Sequence, residues 1–131
     1  MKKWRKVFIT LGIILTLIVI GISAIFITTS RTLSAYHNFN FTDLDLTVVE
    51  DGTYTGNEDG GIVKASVEVT VKDHTITKVI LLSHDNGLGK PAEVIVNDIV
   101  KQNKLEVDTI SGATYSSEVI RMAVYNALTD K

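Results

Sequence analysis

The chain has 131 residues, 45% of them hydrophobic, with 13 Lys and Arg against 15 Asp and Glu and no cysteine. That length holds one modest domain, and the lack of Cys excludes a disulfide framework, a Cys-ligated iron–sulfur cluster and a Cys-x-x-Cys-His haem attachment. His37, His74 and His84 are the only histidines and form no His-x-x-x-His or similar pair, which argues against a structural metal site.

Residues 7–27 carry no charge and are apolar apart from Thr, Ser and Gly. About 20 such residues cross a bilayer as a helix. Lys2, Lys3, Arg5 and Lys6 precede the span and only Arg31 follows it closely. The positive-inside rule then puts residues 1–6 in the cytoplasm and the rest of the chain outside, as a single-pass protein of the cell membrane. Trp4 is placed for the inner interface. A cleaved signal peptide is the competing reading, but its apolar region is normally shorter, and Ser34-Ala35 is the only weak cleavage candidate beyond the span. Four of the 13 basic residues precede the span, so residues 31–131 hold nine against 15 acidic ones, a net of −6. An acidic domain argues against nucleic acid and against flat binding to anionic lipid.

Residues 28–47 are rich in Ser, Thr and Asn, with Tyr36, Phe39 and Phe41 interleaved, and are expected to form a stalk. Its aromatics either meet the membrane interface or fold back on the domain. Leu44, Leu46 and Val48 alternate with polar residues as in a short strand. The domain proper is expected over residues 48–131. Asp51-Gly52-Thr53-Tyr54-Thr55-Gly56 reads as turn, strand, turn, and residues 57–61 as a Gly/Asp loop that either approaches a ligand or simply turns a hairpin. Residues 62–72 alternate strictly, with Val63, Ala65, Val67, Val69 and Val71 on one face, which predicts a half-buried strand. Asp73-His74 is a tight turn, and residues 75–83 return as a second strand. Val79, Ile80, Leu81 and Leu82 are apolar on both faces, as in a central strand.

His84 opens a loop with Gly87 and Gly89, glycines that permit close backbone approach to a flat ring. His84 either hydrogen-bonds such a ring or merely ends the strand. Pro91 suits a first helical turn, and residues 92–103 follow with Ile95, Val96, Ile99 and Val100 at helical spacing. Residues 105–108 are a short apolar segment, read as a strand, and residues 119–128 form a last amphipathic helix. Segregated strands and helices predict an α+β domain, an antiparallel sheet with a long hairpin packed against two helices.

Between that short segment and the last helix runs Asp108-Thr-Ile-Ser-Gly-Ala-Thr-Tyr-Ser-Ser. Gly112 relaxes the backbone at the change of direction. Thr114, Ser116 and Ser117 suit a helix opening. Hydroxyls beside a helix N-terminus, where N–H groups and the dipole favour an anion, suit a phosphate.

Asp108, Ser111, Gly112, Ala113 and Thr114 also fit the Asp-x-x-(Ser/Thr)-Gly-Ala-Thr signature. In this the chain resembles the covalent FMN-binding domain family, which includes the C subunit of the sodium-pumping NADH:quinone oxidoreductase and the G subunit of the Rnf complex. Residues 51–56 resemble that family's Asp-Gly-x-Tyr-x-Gly opening. Residues 84–89 match its His-x-x-x-x-Gly loop in part, since Asp85-Asn86-Gly87 replaces the usual spelling. The resemblance implies that Thr114 carries FMN through a phosphoester, with Ser111, Gly112, Ala113 and Ser116 around it and His84, Gly87 and Gly89 near the ring. It implies delivery from FAD by a separate Mg²⁺-dependent flavin transferase, for which Asp108 and the Ser-Gly-Ala run would be recognition elements. It implies an electron carrier working with a membrane redox partner, such as a quinone- or NADH-linked reductase, and an extracytoplasmic acceptor. The alternative is a tethered binding or adaptor module of the same fold without flavin.

Overall fold

The first element is helix α1 (Lys2–His37), 36 residues long, with a mean hydropathy of 2.7 over its most apolar stretch and none of that stretch buried against protein. Its hydroxyls are satisfied locally. Thr10 donates to the Lys6 carbonyl, Thr16 to Gly12 and Ser23 to Val19, each at 2.8 Å. Polar residues tied back in this way are tolerated in a helix long and apolar enough to cross a membrane. The computed structural model describes residues 1–85, 87 and 89–130; Asn86 and Leu88, both in the loop expected to face a ring, lie outside them. The chain forms two compact units, Met1–Thr32 and Leu33–Lys131.

The second unit takes in much of the expected stalk. Helix α1 continues to His37, and two 3₁₀ turns follow, Phe41–Asp43 and Leu46–Val48, where a strand was expected at Leu44, Leu46 and Val48. The reason is local: Asn40 and Asp45 accept from the N–H groups of Thr42 and Thr47, two residues on, which favours turns over a ladder. The aromatics fold back on the domain, with Tyr36 and Phe41 buried and Phe39 edge-on to Phe41 and Tyr125 at 4.9 and 4.8 Å between ring centres.

Strands β1 (Gly52–Asp59), β2 (Lys64–Lys72) and β3 (Thr75–Asp85) form an antiparallel sheet in the order β1-β2-β3. The expected loop at residues 57–61 is therefore mostly strand. The period-2 pattern of β2 holds: Ala65, Val67, Val69 and Val71 are buried. Asp73 and His74 turn the hairpin with φ of 49° and 58°, the positive pair that a tight two-residue connection requires.

The apolar run in β3 does not make it central; β2 holds that place and β3 is an edge. The pairing explains the run. Ser66 faces Ser83 but Val67 faces Leu81, and Thr70 faces Lys78 but Val71 faces Ile76, so Leu82 and Thr77 are extra residues in two bulges. The bulges keep Ile76, Val79, Leu81 and His84 opposite the buried positions of β2 and leave Leu82 exposed.

The stretch expected as one helix from residue 92 divides into a 3₁₀ turn (Lys90–Val94) and helix α2 (Ile95–Gln102). Residues 105–108 form no strand, although Leu105 and Val107 are buried. Helix α3 (Thr114–Thr129) starts five residues earlier than expected. It packs across β1 and β2, while α2 packs on β3. Asn103 closes α2 with a left-handed φ of 50°, and its side-chain oxygen accepts from the Ile76 N–H at 2.8 Å. Asn103→Ala should destabilise the domain by about 1–3 kcal/mol, because it strands a partly buried N–H and strains the left-handed turn; urea unfolding measures it. Asn103→Gly, which relieves only the strain, should recover part of that loss.

Candidate functional site

The signature folds as a turn that delivers the chain into α3. Gly112 takes φ of 76°, the left-handed region that a side chain would strain. The Ala113 N–H bonds the Ile110 carbonyl at 2.9 Å and closes the turn. Ser117 locks it from within: its hydroxyl accepts from the Ile110 N–H at 3.0 Å and donates to the Ala113 carbonyl at 2.9 Å. Ser117 is wholly buried and Ser116 only 2% exposed, whereas Ser111 and Thr114 are exposed. The hydroxyls that look alike in sequence thus divide into two that are buried and two that reach solvent.

Thr114 is the first residue of α3 and Ala113 is its cap, which offers no side-chain hydrogen bond. A helix begins with N–H groups that have no intrahelical partner, and here no capping hydroxyl competes for them. The first turn also holds no acidic residue. An anion attached at Thr114 therefore meets N–H groups and the positive dipole end without a nearby carboxylate in that turn.

Thr114, Gly112, Ala113, Tyr115 and Ser116 line a shallow groove of about 200 Å³ together with Gly89 and with Ile62 and Val63 from the β1–β2 turn. Three separate stretches of sequence meet there. Ile62, Val63 and Tyr115 were not singled out as site residues. Ile62 is a large aliphatic left 59% exposed, and the sequence marks it only by its place after Gly60-Gly61. A larger depression of about 270 Å³, lined by Asp43, Leu44, Asp45, Val48, Val49, Leu128 and Thr129, lies at the other end of α3.

Not every candidate joins the groove. The His84 side chain is 2% exposed, with its Nδ1 3.2 Å from the Glu93 carboxylate. Gly87 and Asp108 are exposed and do not line the groove. Behind the turn, Glu118 is buried with Arg121 Nη1 at 3.2 Å. Burial holds its carboxyl above the usual glutamate range, against the opposing pull of Arg121 and His37. Arg121 also donates from Nε to the Leu105 carbonyl at 2.9 Å and lies over the Phe41 ring at 4.4 Å, which ties the run-in to the signature onto α3.

An α+β domain that presents an exposed hydroxyl at an uncapped helix start, beside an open groove, is a scaffold suited to a phosphate-bearing group. The model of the FMN-binding domain matches residues 60–129, and the chain belongs to that family. Flavin binding is the function this membership carries. No curated protein matches the chain.

Proposed function

We propose that the chain is a membrane-anchored flavoprotein that holds FMN through a phosphoester to Thr114 and carries electrons between a membrane-bound reductase and an extracytoplasmic acceptor. The observation that carries this reading is the exposed Thr114 hydroxyl at the uncapped start of α3, on the rim of the groove. The fit is specific at the phosphate end and loose at the ring end. Pockets that enclose a drug-sized ligand measure roughly 300–1,000 Å³, and this groove is smaller. A flavin lying in it would stay largely open to solvent and would be lost by dilution once free ligand falls below its Kd. A covalent bond removes that dependence, and the exposed edge remains accessible to redox partners.

When bound, FMN supplies one- and two-electron transfer. The chain's own residues do the rest. Thr114 would retain the phosphate, the first N–H groups of α3 would offset its charge, and Ile62, Val63 and Gly89 would give the ring an apolar, low-relief surface. Ser111 belongs to the turn that shapes the phosphate end, and Ser116 to the first turn of α3 behind it. A Thr hydroxyl without an activating base is a weak nucleophile, so attachment falls to a separate Mg²⁺-dependent transferase that moves the FMN phosphoryl group from FAD to the Thr114 oxygen and releases AMP. Asp108, exposed six residues before Thr114, is offered to that enzyme.

Coexpression with a flavin transferase tests the reading. The full chain should fluoresce as a flavoprotein in a denaturing gel and gain the mass of FMN less one water. A wild-type chain without the adduct would leave a dissociable flavin binder or a flavin-free adaptor. The four N-terminal cations motivate the orientation. Protease added to intact spheroplasts should remove the domain and leave a membrane stub. Full protection would reverse the topology, and a soluble form starting near Tyr36 would indicate cleavage.

A further inference from the structure

We infer that Tyr36, outside the matched FMN-binding residues, is a positioning residue for the flavin groove. The inference rests on the reading of Thr114 and its groove given above. Tyr36 is buried at 7% exposure, in the same compact unit as the site. Its hydroxyl donates to one oxygen of the Glu58 carboxylate near the end of β1. The other oxygen of Glu58 accepts from Asn126 Nδ2 of α3 at 2.8 Å, and the same Asn126 amide donates to the Asn57 carbonyl at 2.8 Å. Tyr36 therefore stabilises the carboxylate that bridges the end of β1 to α3. Burial, and then the bond to Glu58, push the Tyr36 phenol above its usual range, so it stays a donor.

The ring of Tyr36 makes a second connection. It lies 6.3 Å from the ring of Tyr115, tilted by 34°. Tyr115 follows Thr114 directly, and its hydroxyl donates to the Gly60 carbonyl. Gly60 begins the turn that brings Ile62 and Val63 to the groove, and its N–H is fixed on the Val63 carbonyl at 2.9 Å. No side chain fits at Gly60, where a Cβ would sit 2.8 Å from Val119 and 3.1 Å from the Tyr115 hydroxyl. Tyr36 thus meets the end of β1 through Glu58, two residues before the turn that lines the groove, and the start of α3 through Tyr115. The last turn of α1 thereby supports a groove that Tyr36 does not itself line.

The test uses the full chain in detergent, with and without flavin, and the variants Tyr36→Ala, Tyr36→Phe and Phe39→Ala. Phe39 packs on Phe41 and Tyr125 in the same segment but does not line the groove. In flavin-free protein, hydrogen exchange at residues 60–63 should rise more than about tenfold in Tyr36→Ala, which loses ring pair and hydrogen bond together. It should rise about fivefold in Tyr36→Phe, which loses only the bond. Phe39→Ala should leave those amides within about twofold of wild type after correction for global stability. In flavin-loaded protein, Tyr36→Ala should alter the visible circular dichroism of the flavin and Phe39→Ala should not. Unchanged exchange at residues 60–63 in both Tyr36 variants, or a flavin band unchanged in Tyr36→Ala, would overturn the inference. If Tyr36→Ala does not fold, Tyr36→Phe decides it by the same two readouts. A wild-type chain that takes no flavin fails the functional reading separately, and the exchange arm still tests the contact.

Discussion

Thr114→Val should abolish covalent flavin while leaving the domain folded. The substitution keeps the branched shape and removes only the hydroxyl, at an exposed position. The dipole and N–H attraction that remain amount to about 0.3–1 kcal/mol, too little to hold FMN against dilution, so loading should fall to background rather than by a fraction. The controls follow from the burial pattern. Ser111 is the other exposed hydroxyl of the turn, and Ser111→Ala should retain the adduct. Ser116→Ala should retain it too, because that side chain is 2% exposed. Ser117→Ala should keep the attachment site but load slowly: it strands the Ile110 N–H and unlocks the turn, at about 1–3 kcal/mol. Intact mass after coexpression reads all four. An adduct persisting in Thr114→Val and missing from Ser111→Ala would move the ester to Ser111.

Gly56→Ala should be the most damaging single methyl in the domain. A Cβ at residue 56 would lie 2.1 Å from the Ala123 carbonyl oxygen and 2.4 Å from the Ala127 backbone nitrogen. Both obstacles belong to the backbone of α3, so no rotamer change relieves them and the helix must lift off β1. Overpacking of a core costs typically 1–3 kcal/mol and occasionally more, and this clash belongs at or beyond the top of that range, a large part of the stability of a small domain. Gly52→Ala is the matched control. It lies in the same strand, its added Cβ meets only the Tyr54 ring at 3.6 Å, and it should change stability by less than about 1 kcal/mol. Equal midpoints for the two variants in urea would contradict the close strand–helix contact.

The same glycine shows what was legible in the sequence. The spelling Asp-Gly-x-Tyr-x-Gly marked residues 51–56 as a resemblance, but its physical reason lay in a contact with a helix some 70 residues later. The alternating pattern of β2 and the turn at Asp73-His74 could be read directly, because burial period and turn chemistry are local. The place of β3 in the sheet could not. Four consecutive apolar residues look the same whether a strand is covered on both faces or carries a bulge, and only pairing separates the two. Thr114 was legible as a candidate through its signature, and the structure leaves it exposed at the start of α3. Its distinction from Ser116 and Ser117 was not, since burial at a helix start depends on which face meets the sheet. Tyr36 and Ile62 were hidden for a related reason: each meets residues distant in sequence.

If α1 anchors the chain in a bilayer, the two bulges in β3 also bear on how neighbouring copies meet. Tethering confines chains to a plane, where domains meet side by side far more often than in free solution. A straight, unpaired edge strand offers a ladder for a neighbour's strand, and repeated pairing would build a fibre. Extra residues at Thr77 and Leu82 break the even spacing of that ladder and increase its local twist, so an incoming strand finds no long register in common. The irregularity that disguised β3 as a central strand works against such edge-to-edge pairing.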